Sequence, residues 1–318
     1  MKKRNYKIIT LGILTTIATG VIYVINRMIA TAAMLKDMLH SSSSQYYKWR
    51  FGNIYYCKKG RGTPLLLIHD LVSGSSAYEW SKVENELAQK YTVYSIDLLG
   101  CGRSDKPAIT YTNFLYVQLI TDFIKNVIKE KSTVIASGYS ASFAVMACYH
   151  EKEYFNKLVL INPPSLGVLN QIPNRRSKLL KSVIEIPVFG TLIYNMIASA
   201  ENINNAFIEK YFYNPFHVSS DIKDAYYESA HRNDNAGKFL YASKAGRFTN
   251  INICHALEAI DHSIILLTGE HEKNAGEIQE GYISSNPSIE TASIKSACHF
   301  PHMEEPEEFL EQISIYLS

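Results

Sequence analysis

Behind an apolar N-terminal stretch, the chain alternates short, continuously apolar runs with longer segments whose apolar positions recur at helical spacing. Pro64–His69 (PLLLIH), Thr92–Asp97 (TVYSID), Thr133–Ser137, Lys157–Ile161 and Ser263–Thr268 (SIILLT) have strand length and apolar character throughout. That pattern predicts strands covered on both faces. Tyr78–Gln89 carries Trp80, Val83 and Leu87 on one side, and Thr112–Glu130 carries Leu115, Leu119, Phe123 and Val127, which predicts two amphipathic helices. Tyr47–Phe51 and Asn53–Lys58, meeting at Gly52, predict an antiparallel pair at the start. A last strand is expected at Glu290–Ile294 and a terminal helix at Pro306–Leu317. Strands alternating with helices imply parallel pairing and helices on both faces. The expected fold class is α/β, with a doubly wound, mostly parallel sheet built from residues 46–162 and 262–318.

The alternation stops after Asn162-Pro163-Pro164 and resumes only near Ser263. Residues 163–261 read as a helical insertion, with Lys178–Ile184, Thr191–Tyr211 and Asp221–Ala230 separated by Pro187, Gly190 and Pro215. Inserted where strands end, these helices would form a cap over whatever lies there. The chain has 22 tyrosines, and many fall between Tyr194 and Tyr241. They could line a pocket with an apolar face and a polar tip, or simply pack the insertion onto the core.

Ahead of this unit, Lys2, Lys3, Arg4 and Lys7 precede the uncharged stretch Ile8–Ile25. Its length is close to the roughly twenty residues that span a bilayer as a helix. Residues 1–28 are expected to be a signal anchor or transmembrane segment, and residues 29–45 a Ser-rich linker ending in Ser41–Ser44. With the basic cluster inside, the domain would be held on the extracytoplasmic side of the cell membrane by a single pass. The alternative is secretion after cleavage, with Ala18-Thr19-Gly20 or Ala30-Thr31-Ala32 as the small-x-small site.

Composition narrows this further. Hydrophobic residues make up 47% and charged ones 19%, which suits a large buried core. The formal net charge of +2 comes without a concentrated basic face, so nucleic acid is not an expected partner. Cys57, Cys101, Cys148, Cys254 and Cys298 show neither CxxC nor metal-ligand spacing, so no metal and no cofactor are expected. Nothing in the sequence fixes an oligomeric state.

Chemistry in an open α/β sheet sits at the carboxyl ends of its strands. His69-Asp70-Leu71, Ser140, Gly269-Glu270-His271-Glu272 and Cys298-His299-Phe300-Pro301-His302 all fall there. Gly138-Tyr139-Ser140-Ala141-Ser142, between the Thr133–Ser137 run and an apolar helical stretch, matches a nucleophile elbow, in which small residues flank a serine on a tight turn. Small-x-Ser-x-small is common by chance, and a structural turn serine has the same pattern. A serine, an acid and a histidine in that chain order suit acyl chemistry on this architecture.

The layout resembles the α/β-hydrolase fold superfamily, in its capped esterase, lipase and epoxide-hydrolase-like branch. Two further segments carry the likeness, Ala297–Phe309 (ACHFPHMEEPEEF) and the glycine-punctuated Ile96–Pro107 (IDLLGCGRSDKP). The resemblance implies Ser140 as nucleophile, His299 as base and Glu272 as the acid, with Glu270 in reserve and His302 as a rival base. It also implies an oxyanion hole from the backbone N–H groups of Leu71 and Ala141. The sequence departs from the family at Asp70 and Ser142, both usually glycine, and a carboxylate turned inward at Asp70 would oppose an oxyanion. The implied function is a membrane-anchored serine hydrolase cleaving a small carboxylic ester or related acyl bond through a Ser-Glu-His triad. The alternative is a catalytically weak or inactive binding protein on the same fold.

Overall fold

The computed structural model describes residues 2–41 and 45–317. The longest helix, α1 (Lys2–Ala33), opens the chain. Eight strands follow: β1 (Gln45–Trp49), β2 (Gly52–Lys59), β3 (Pro64–Ile68), β4 (Thr92–Ile96), β5 (Ser132–Ser137), β6 (Phe155–Ile161), β7 (Ser263–Gly269) and β8 (Glu290–Ile294). They form one sheet in the order β1-β2-β4-β3-β5-β6-β7-β8, antiparallel through β1, β2 and β4 and parallel from β4 onward. This is the doubly wound, mostly parallel sheet expected from the alternation of runs.

Alternate residues of the central strands serve opposite faces. Leu66, Ile68, Val134, Ala136 and Leu160 join one apolar layer, while Leu65, Leu67, Ile135, Val159 and Leu267 join the other. The first layer is covered by α3 (Asn113–Phe123) and α4 (Ser140–His150). The second is covered by Trp80, Val83, Phe309 and Ile313. The Tyr78–Gln89 helix expected from periodicity is instead a short 3-10 turn, Ala77–Trp80, and one turn of helix, α2 (Glu84–Leu87). Glu79 turns inward to meet the backbone of Asp70, which takes that segment out of amphipathic register. The second long helix ends at Phe123 and continues only as a wider π turn through Ile128.

Between β6 and β7 lie α5 (Leu166–Leu169), α6 (Arg175–Glu185), α7 (Phe189–Ile197), α8 (Ala200–Ala206), α9 (Ser220–Asn235), α10 (Gly237–Ala245) and α11 (Cys254–Ala259). The single helix expected over Thr191–Tyr211 is broken at Ala198, because Ser199 caps α8 through its hydroxyl, which accepts from the Asn202 N–H. Periodicity also missed α12 (Ala275–Ser285), between β7 and β8. Two final helices, α13 (Pro301–Glu304) and α14 (Pro306–Leu317), close the chain.

Gly12–Ala33 is long and apolar enough to cross a membrane by length and composition, as a signal sequence also is. The helix runs five residues past the expected end of the anchor at Met28. It does so because its last turns pack on the cap, burying Ala30 and Ala33. Asn26 is the key contact. Its Nδ2 donates to Val188 O (2.9 Å), its Oδ1 accepts from Asn195 (3.0 Å) and its backbone O accepts from Asn235 (3.0 Å). Arg27 pairs with Asp234, Lys36 with Asp224, and the Met38 N–H with Glu228. Of the serine run expected as a linker, residues 42–44 lie outside the described residues.

Candidate active site

Strand β3 runs between β4 and β5, so the chain leaves it in one direction and β5 in the other, opening a crevice at their carboxyl ends. Asp70 enters this crevice from the β3 side and Gly138 from the β5 side. Strand β5 ends at Ser137 and α4 begins at Ser140, so only Gly138 and Tyr139 make the turn. The apex is Gly138, with the left-handed φ of +54° that a strand-to-helix elbow demands. A Cβ built there would overlap the carboxylate of Asp70.

This shifts the sequence frame by two residues. The small-x-apex-x-small pattern runs Ala136-Ser137-Gly138-Tyr139-Ser140, and the apex carries no side chain. Ser140, expected to be the nucleophile, is buried in the first turn of α4 and donates its hydroxyl proton to His69 O at 2.6 Å. It makes no hydrogen bond to His299 among the described residues. Ala141, expected to be an oxyanion donor, gives its N–H to Gly138 O at 3.2 Å within the turn. Both assignments are corrected for one reason: the helix starts two residues earlier than the serine-centred pattern supposes.

Asp70 fills the vacated space. Its Oδ1 accepts the N–H of Leu71 and the N–H of Tyr139, each at 2.7 Å. Leu71 is the donor expected from the sequence, and Tyr139 follows the apex, so these two amides are the pair that an elbow turns toward an oxyanion. The second oxygen, Oδ2, lies 3.6 Å from His299 Nε2. Glu272 accepts from His299 Nδ1 at 3.0 Å. The site thus brings together Asp70, His299 and Glu272 and leaves Ser140 outside. Glu270 is exposed, His271 stacks on Tyr213, and His302 is buried 3.2 Å from Glu79. Ser142 is buried and bonds to Tyr139 O.

The electrostatics follow from this packing. Burial alone would raise the Asp70 pKa, but Lys244, His299 and the Tyr139 N–H together hold it far below the usual carboxylate range. Lys244 reaches in from α10 and donates to Leu71 O at 2.6 Å, fastening the cap to the loop after β3. Burial would lower the His299 pKa, but the bonds to Asp70 and Glu272 outweigh it and raise the value to about 10. The shift favours the imidazolium form of His299 beside Asp70 and Glu272.

That charge state has a measurable consequence. A raised histidine pKa gives stability that is complete below the unfolded value near 6.5 and is lost as pH climbs through about 10. Urea unfolding in detergent at pH 7, 8 and 9 is expected to show wild-type stability falling with pH. The slope should exceed that of His299→Gln by about 1.4 kcal/mol per pH unit, the value for one proton. Equal slopes would mean that His299 is neutral at rest.

Polar residues that motif reading missed brace Asp70, His299 and Glu272. Asn162, with φ of +41° at the end of β6, donates to Cys298 O and His299 O (2.9 Å each) and accepts from the Gly269 N–H. Glu304 accepts the N–H groups of Cys298, Tyr213 and Asn214, tying the histidine loop to the cap. Glu79 holds the Asp70 N–H at 3.1 Å. Only a polar residue directly after a buried strand could have flagged Asn162. A cavity of about 520 Å³ lies beside the loop after β3, lined by Val72, Gly74, Ile197, Phe207, Tyr211 and Tyr226 among others. Tyr211 packs against His299, with ring centroids 5.5 Å apart, and its backbone O accepts the His299 N–H.

A sequence model described as the alpha/beta hydrolase family matches residues 65–312. An uncharacterised protein of Mycobacterium tuberculosis is 31% identical over 103 residues, which is 32% of this chain and 30% of that one. The chain thus spans under a third of that relative's length. The soluble epoxide hydrolase of Corynebacterium sp. (strain C12) is 24% identical over 274 residues, 80% of this chain and 90% of that one. The solved naproxen esterase of Bacillus subtilis superposes with a TM-score of 0.67 at 19% identity, over 94% of this chain and 98% of that one, a likeness of fold alone.

Proposed function

Because the chain belongs to the alpha/beta hydrolase family, we propose that it is a hydrolase whose nucleophile is the Asp70 carboxylate, opening an epoxide through a covalent alkyl ester. One observation carries this reading: Asp70 Oδ1 sits in the two-amide cradle while Oδ2 faces His299. With the cradle filled, an acyl substrate has no place for its own oxyanion. An alkyl ester formed on Oδ2 already has its carbonyl oxygen, Oδ1, where charge will develop when water attacks. The similarity to a soluble epoxide hydrolase supports the same class of electrophile. The serine-ester reading lacks a hydroxyl at the elbow apex.

In this mechanism Oδ2 attacks a ring carbon, the ring C–O bond breaks, and the alkoxide takes the Nε2 proton of His299. Esterification cancels the Asp70 charge that raised the His299 pKa, so the imidazole becomes a base held by Glu272. Water then gives one proton to Nε2 and adds its oxygen to the ester carbon, with the negative charge collecting between Leu71 N–H and Tyr139 N–H. Collapse expels the diol oxygen, which takes the second water proton. Carboxylate and imidazolium are restored, and epoxide plus water has become a vicinal diol.

We further propose that α1 anchors the enzyme in the cell membrane with the domain on the extracytoplasmic side. The basic Lys2–Arg4 cluster supports this orientation. Ala30, within one candidate cleavage site, is buried against the cap, which supports an uncleaved anchor.

The covalent step can be trapped. Wild type mixed with an aryl-substituted terminal epoxide and quenched in acid within one turnover is expected to gain the mass of one epoxide on the peptide carrying Asp70. Turnover without an adduct on that peptide would sink the proposal, and an adduct on Ser140 would restore the serine reading.

A further inference from the structure

We infer that the corner between α6 and α7 docks into the headgroup layer of an anionic bilayer, the same one that α1 crosses. This rests on the anchor reading above. The two helices meet at 105°, and α7 shows Phe189, Ile193 and Met196 to the outside, at i, i+4 and i+7. Ile186 extends the stripe onto the corner, and Leu179 and Leu180 carry it onto α6. Such a stripe at helical spacing is the apolar face of a helix that lies along a surface. The opposite side of α7 is packed, with Tyr194 and Asn195 buried.

What covers the stripe is indicated by its neighbour. Ahead of Asn26, Leu14, Ile17, Val21 and Val24 of α1 are all more than half exposed. At Asn26 it meets the protein, and the residue it bonds there is Val188, at the corner itself. Tyr23, Asn26, Arg27, Pro187 and Val188 share one shallow cavity, so the corner lies at the level where α1 leaves the hydrocarbon. Charge points the same way. Arg175, Arg176 and Lys178 are exposed on the first turn of α6 and make no ion pair among the described residues. Basic residues beside an apolar stripe suit the surface of anionic lipid. The last residue of α7, Ile197, lines the cavity beside the loop after β3, so the docked helix is also a wall of that cavity.

The full-length protein can be reconstituted in phosphatidylcholine–phosphatidylglycerol vesicles with brominated acyl chains. One sample carries Phe189→Trp and another Tyr23→Trp, while the native Trp49 and Trp80 are buried and give a constant background. The added fluorescence is expected to fall at least about twofold in both samples, since acyl-chain bromine quenches on contact with buried apolar residues. Quenching at position 189 should diminish in pure phosphatidylcholine and after Arg175→Glu with Arg176→Glu and Lys178→Glu. Quenching at position 23 alone would overturn the docking while leaving the anchor intact. Quenching at neither would overturn both. Protection of the Phe189→Trp fluorophore that grows with protein concentration in detergent would assign the stripe to a second copy and overturn the inference.

Discussion

Asp70→Ala is expected to lower kcat/KM on an epoxide by about 1,000-fold or more, while Ser140→Ala changes it by less than about threefold. The contrast follows from what each side chain touches. In the proposed mechanism Asp70 contributes the attacking oxygen, and losing a nucleophile that forms a covalent intermediate typically costs at least about 4 kcal/mol of barrier lowering. Among the described residues the Ser140 hydroxyl bonds only to the His69 carbonyl, and its removal leaves His299 and the Leu71 and Tyr139 amides untouched. Single turnover in water labelled with oxygen-18 sharpens the test. Because the ester carbon belongs to Asp70, the label should enter the Asp70 carboxylate and be absent from the first diol formed. Label in the diol of the first turnover would show water attacking the epoxide directly, and Asp70 would then be at most a base.

The sheet was legible because its signal is physical and local. Continuous apolar runs such as Pro64–Ile68 and Ser263–Thr268 can be satisfied only by strands covered on both faces. Glu272 and His299, paired from the sequence, lie 3.0 Å apart in the structure. What failed was the frame of the elbow. Small residues stand at both Ala136/Ser140 and Gly138/Ser142, so the pattern fits two centres, and the eye goes to the one that carries a hydroxyl. The choice between them depends on where α4 begins: the apolar run already ended β5 at Ser137, but the helix starts at Ser140, inside the serine-centred pattern. Asp70 did stand out in the sequence as a misplaced carboxylate. Its direction could not be read there, since it depends on an empty apex across the crevice.

That reciprocity can be tested by moving the nucleophile. Gly138→Ser alone adds a side chain where the Asp70 carboxylate lies and places it on a left-handed φ. Overpacking of this kind costs about 1–3 kcal/mol, and the backbone contributes about 1–2 kcal/mol more. The single variant should therefore be clearly less stable and lose its epoxide activity as the carboxylate is displaced. Asp70→Gly added to it clears the clash, leaving only the backbone cost. The pair should thus be more stable than the two separate losses predict, with a coupling of about 1 kcal/mol or more, well above the additivity error for independent sites. The double variant also frees the Leu71 and Tyr139 N–H groups and puts a hydroxyl at the apex, facing His299 with Glu272 behind it. It should lose epoxide turnover and gain labelling by a fluorophosphonate at the introduced hydroxyl, which wild type lacks. A Gly138→Ser protein as stable and active as wild type would mean that Gly138 is not the apex and that Asp70 does not occupy its space. On the proposed reading, Asp70 and Gly138, across one crevice, decide between carboxylate and serine chemistry, because the two amides between them hold a single oxygen.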